Sequence, residues 1–94
     1  MSDQFKILII SPDNDHASDI AKKIKKHFKD LQITMHFASD GTKGIYLFNQ
    51  HFHHLVISDE KMPEMGGEAV IREIRKIEGS SVIFLLSNRT EQSD

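Results

Sequence analysis

The sequence predicts an α/β protein in which four strands and three helices alternate around a mostly parallel sheet. Three observations carry this expectation. The runs at residues 6–10, 55–58 and 82–86 are short, apolar and rich in β-branched residues. Continuous rather than alternating hydrophobicity marks strands buried on both faces. Between the strand candidates, apolar residues recur at helical spacing. Each connection is long enough for a right-handed crossover, so the strands run the same way and helices cover both faces.

Residues 6–10 (Lys-Ile-Leu-Ile-Ile) form the first strand, and Ser11-Pro12-Asp13-Asn14-Asp15 breaks it with turn and helix-entry residues. Ala17, Ile20, Ile24 and Phe28 then define the buried stripe of a helix of about three turns. Lys22, Lys23, Lys25, Lys26 and Lys29 fill its other faces and read as a solvated surface, with a docking surface as the lesser alternative. Ile33, Met35 and Phe37 alternate with Gln32, Thr34 and His36, the pattern of a strand with one wet face or at a sheet edge.

Ser39-Asp40-Gly41 opens a second helix whose stripe is Ile45, Phe48 and Phe52. The third strand, residues 55–58, runs directly into Asp59. Pro63, Gly66 and Gly67 turn the chain, and Met62 and Met65 are expected to pack beneath that loop. Val70, Ile74 and Ile77 give a third helix, with Arg72, Glu73, Arg75 and Lys76 outside and Gly79 as its C-cap. Residues 82–86 form the fourth strand and residues 87–94 are polar.

At 94 residues this is one small domain, burying roughly 60–65% of its unfolded surface. A hydrophobic fraction of 38% and a charged fraction of 28% fit a globular chain rather than a disordered one. A net charge of −2 offers no field for nucleic acid or anionic lipid. With no cysteine, disulfides and thiol catalysis are excluded. No apolar run approaches ~18 residues, and the first four residues are not a signal peptide, so a soluble cytoplasmic protein is expected. The glycine-rich nucleotide motifs and the nucleophile elbow are absent.

Asp13, Asp15, Asp59 and Ser87 each follow a strand within a few residues, so all are expected at one end of the sheet, where open α/β sheets place ligands. Carboxylates there suit Mg²⁺, and a metal-neutralised carboxylate beside a hydroxyl suits in-line phosphoryl acceptance. The plain alternative makes each a helix cap or Asx-turn residue. His51, His53 and His54 form a cluster without a cysteine or a second spaced pair, and are expected in a solvated loop rather than on zinc.

The segment Val56-Ile57-Ser58-Asp59-Glu60-Lys61-Met62-Pro63-Glu64-Met65-Gly66-Gly67 resembles the receiver domain of two-component response regulators, of the chemotaxis-regulator type. Residues 6–10, Ala38-Ser39-Asp40-Gly41 and Phe84-Leu85-Leu86-Ser87 support it, and the resemblance covers nearly the whole chain. It implies a flavodoxin-like doubly wound sheet of order 2-1-3-4, an order taken from the family rather than read from spacing.

By the same resemblance Asp59 is the phosphoacceptor, charged by a sensor histidine kinase, a phosphotransfer protein or a small phosphodonor. Ser87 contacts the phosphoryl group. Mg²⁺ is held by Asp59 and the backbone carbonyl of Lys61, with Asp13 or Asp15 brought to it by a shift of the loop after the first strand. The domain is then no enzyme beyond Mg²⁺-assisted self-phosphorylation.

Two departures shape the expectations. Ser11-Pro12 stands where the family usually has an acidic pair, which weakens the magnesium site. The chain stops after the fourth strand, without the family's fifth strand, its lysine, its switch aromatic and its last helix. An open fourth-strand edge follows, and with it a homodimer or domain swap through that strand or the first helix, unless a partner supplies the missing parts. The competing function is a degenerate receiver, unphosphorylated, acting as an interaction or dimerisation module. An independent enzyme such as a small hydrolase is disfavoured because no nucleophile–base pair is visible.

Overall fold

A computed structural model describes residues 4–87. The elements follow in the order β1 (Phe5–Ile10), α1 (Asn14–His27), β2 (Ile33–Ala38), α2 (Gly41–His51), β3 (Leu55–Asp59), α3 (Gly67–Ile77) and β4 (Val82–Leu86). All neighbouring strands are parallel, in the order β2-β1-β3-β4. This is the flavodoxin-like arrangement expected, and no fifth strand occurs among the described residues.

Strand alternation divides the core. Leu8, Ile10 and Val56 face Phe48 of α2 and Val70 and Ile74 of α3. Ile7, Ile9 and Ile57 face Ala17 and Ala21 of α1. Residues 7–10 of β1 are buried throughout, because this central strand carries helices on both sides. Met62 and Met65 pack against the α2/α3 side, as expected of loop-filling methionines.

Local chemistry sets the helix limits. Asp13 caps α1 by accepting the N–H groups of Asp15 and His16, and Asp40 caps α2 by accepting that of Lys43 at 2.7 Å. Gly44 lets α2 lie close on β1: a Cβ there would meet Ile10 Cδ1 at 2.4 Å. Gly67 does the same where α3 starts, since a Cβ would sit 2.7 Å from the backbone oxygen of Asp59.

Some sequence expectations are corrected. α3 is capped by Glu78 in extended conformation, and Gly79 has no positive φ, so no glycine cap is used. Phe28 and Phe52 fall past the ends of their helices and are exposed. Phe52 adopts the left-handed conformation at φ 52°, an unusual place for an aromatic residue. That reversal turns the next residue inward, so His53 is buried rather than solvated in a loop. Phe37 shares a face with Ile33 and Met35, yet is 49% exposed where β2 runs along the sheet edge.

Candidate functional site

The carboxyl ends of β1, β3 and β4 are adjacent. Ile10 is in register with Ser58, and Asp59 with Leu86. Ser11 and Ser87 therefore follow the strands on either side of Asp59. Ser87 is exposed, one residue past Asp59's register partner.

Asp59 is 1% exposed. Its Oδ2 accepts a 2.6 Å hydrogen bond from Ser11 Oγ, a short charge-assisted contact. Ser11 Oγ in turn accepts the N–H of Asp13 at 3.1 Å, which orients the hydroxyl proton toward Asp59. Asp59 Oδ1 has no hydrogen-bond partner; the Nδ1 of His16 stands 3.7 Å from it. A buried carboxylate oxygen without a donor is costly, and such groups collect where a ligand completes them.

His16 was not foreseen from sequence. The Asp13 cap starts α1, and His16 lies one turn inside it; a histidine three residues past a capping aspartate was the available signal. Ser11, read as part of a strand-breaking turn and as a residue in place of an acidic pair, was missed as a contact of Asp59.

The other expected ligands behave differently. Asp13 accepts two backbone N–H groups on Oδ1, at 3.0 and 3.1 Å. Asp15 is exposed in the first turn of α1. Neither joins Asp59 in a metal-binding cluster: among the described residues no three His, Cys, Asp or Glu side chains gather in that way. Lys61 is exposed in the β3–α3 loop, next to a fixed residue. Glu60 donates its N–H to Leu86 O and accepts that of Gly67, both at 2.8 Å.

The donor set still suits a hard divalent ion: the Asp59 carboxylate and the Ser11 hydroxyl oxygen bonded to it are both oxygen ligands. One carboxylate plus waters and phosphate oxygens is a usual environment for Mg²⁺.

A second polar cluster lies before β3. His53 is 0% exposed, and its Nε2 is 2.8 Å from Nδ1 of His36. His51 stacks on His36 at 4.2 Å between ring centres. Lys6 Nζ donates to the backbone oxygen of His51. His53 Nδ1 has no partner. Burying a bare lone pair costs less than burying an unpaired N–H, so the arrangement favours Nε2–H of His53 donating to His36. Burial, then repulsion from His36, His51, Lys6 and His54, pushes His53 down to about 4. His36 is lowered by burial and by His51 and Lys6.

Comparison with known proteins agrees with this geometry. The family profile of the response regulator receiver domain matches residues 7–94. The chain is 32% identical over 80 residues to a probable transcriptional regulator, ycf27, of Guillardia theta, covering 85% of this chain and 30% of that protein. It is 29% identical over 80 residues to the chemotaxis protein CheY of Bacillus subtilis, covering 80% of this chain and 67% of that one. A response regulator receiver domain protein from Clostridium thermocellum superimposes with a TM-score of 0.68 at 31% identity, covering 87% of this chain and 64% of the other. The chain thus spans less than a third of the ycf27 relative. No helix among the described residues is long and apolar enough to cross a membrane.

Proposed function

This chain belongs to the response regulator receiver domain family, and on that premise we propose that it accepts a phosphoryl group on Asp59 in two-component signalling. The observation that carries the reading is the divided state of the Asp59 carboxylate, with Oδ2 held by Ser11 and Oδ1 without a hydrogen bond. The donor is a phosphohistidine of a sensor kinase or phosphotransfer protein, or a small acyl phosphate.

Oδ1 attacks phosphorus in line as the bond to the leaving group breaks, a P–N bond for phosphohistidine and a P–O bond for an acyl phosphate. The electron pair stays on the departing imidazole nitrogen or carboxylate oxygen, and the product is an aspartyl phosphate. Ser11 keeps the carboxylate from rotating. Ser87, on the neighbouring strand end, supplies a hydroxyl to a phosphoryl oxygen.

Mg²⁺, when bound, offsets the negative charge shared by carboxylate and phosphate. Asp59 and the backbone carbonyl of Lys61 would hold it. Asp15 lies close in sequence to contribute, whereas Asp13, whose Oδ1 caps α1, has only its second oxygen to offer. With Ser11 contributing a hydroxyl, magnesium binding is weaker than at a site with an acidic pair.

The test is intact mass after incubation with Mg²⁺ and an acyl phosphate. One added phosphoryl group in wild type and none in Asp59→Asn supports the proposal. No adduct at saturating donor leaves the second reading, an unphosphorylated receiver used as an interaction module. The capping role of Asp13 favours that second reading.

We also propose that a second copy binds along β4. Among the described residues nothing pairs with its outer edge, and on the α1 side of the sheet Val82 is exposed and Phe84 is 56% exposed. An open apolar edge of this kind recruits another strand. Light scattering on wild type and Phe84→Lys tests it: a dimer that the substitution dissociates is expected, and a monomer at high concentration refutes it.

A further inference from the structure

The face of α1 turned toward β2 carries a basic, apolar-floored groove of about 520 Å³ on a chain of net negative charge. Its floor is Ala17, Ala21 and the ring of Phe37; its rim carries Lys22, Lys25 and Lys43; no carboxylate lines it. The floor has a cause. α1 presents alanines rather than large residues toward the sheet here, so a trough remains and Phe37 stays half uncovered. The rim is uncommitted: none of the three lysine ammonium groups makes an ion pair or side-chain hydrogen bond among the described residues. Alongside runs β2, which has no strand on its outer side among the described residues.

We propose that this groove docks an acidic, apolar-centred segment of a partner protein, laid in extended form beside β2. Three features select that occupant. Three cations without acids call for a polyanionic ligand, and charge of this kind sets partner choice and encounter rate. The apolar floor gives a free inorganic anion nothing to bind, whereas alternate side chains of an extended peptide would cover Phe37 and the alanines. The open edge of β2 supplies main-chain hydrogen bonds for strand addition. Ser11 closes one end of the groove and is the residue bonded to Asp59 Oδ2, so occupancy is felt at the carboxylate. The docking itself does not depend on Asp59 being phosphorylated.

The test uses a short synthetic peptide alternating glutamate with valine or leucine, titrated into ¹⁵N-labelled protein. Saturable shifts at the amides of Ala17, Ala21, Phe37 and Ser39 are expected, with Ser11 moving at the same midpoint. Lys22→Glu combined with Lys25→Glu, both exposed and checked for fold by circular dichroism, weakens binding about tenfold. Lys76→Glu on α3 leaves it unchanged. Absence of saturable shifts, shifts located elsewhere, or equal affinity in the double variant overturns the proposal. So does displacement of the peptide by inorganic phosphate or by a mononucleotide, which would make this a small-anion or nucleotide pocket.

Discussion

Each end of β3 holds a buried polar side chain that leaves one nitrogen or oxygen without a partner. His53, before the strand, orphans a ring nitrogen. Asp59, at its last position, orphans a carboxylate oxygen. Burial and bookkeeping of hydrogen bonds are nearly the same at both, yet the consequences are opposite. A neutral imidazole places its spare lone pair among apolar atoms at small cost and ties β2 to the turn after α2. A carboxylate carries a charge whose desolvation one hydroxyl does not offset. The first arrangement stabilises the fold. The second is the arrangement expected of a site that a ligand completes.

The comparison can be broken most sharply at Asp59. Asp59→Asn is expected to abolish the phosphoryl adduct in intact mass while raising the melting temperature by a few degrees, because a buried charge is removed where its geometry is tolerated. A fall in stability would mean that the carboxylate is structural.

His53→Ala should act in the other direction. It leaves a cavity and strips His36 of its donor, costing about 3–4 kcal/mol in urea unfolding. The adduct, where the folded fraction allows it to form, should survive.

Acid sharpens the same contrast. His53 titrates near 4 when folded, below the ordinary histidine value of 6.5. The unfolded chain therefore binds the extra proton first. The contribution is fully present above pH 6.5 and is lost as pH falls toward 4, on the order of 2–3 kcal/mol. His53→Leu should flatten that part of the stability–pH curve, measured as urea midpoints between pH 7 and pH 4.5.

Ser11→Ala is the smallest of these changes in stability, about 1–2 kcal/mol. Its distinctive readout is a slower appearance of the adduct at fixed Mg²⁺ and donor.

All seven described elements were legible because they rest on local pattern, continuous for β1, β3 and β4, alternating for β2, and helical for the stripes around Ala17, Phe48 and Ile74. Asp59 was legible because it ends an apolar run at a glycine- and proline-bearing turn. Its surroundings were not. Ser11 meets Asp59 only because Ile10 and Ser58 are in register across two strands 48 positions apart, which no window of sequence shows. His16 depends on where the Asp13 cap starts α1. His53 was read as solvated because its burial follows from the backbone of Phe52, and a left-handed aromatic residue is not a pattern that sequence announces.

The missing side chain at position 44 has a mechanical consequence. α2 rests on Ile10 with no room for a methyl group between them, and Ile10 immediately precedes Ser11. A methyl group added there would press on the Ile10 side chain, one residue before the hydroxyl that holds the carboxylate on the opposite side of the layer. Helix α2 thus bears on the strand tip that carries Ser11 without touching the acidic residue itself.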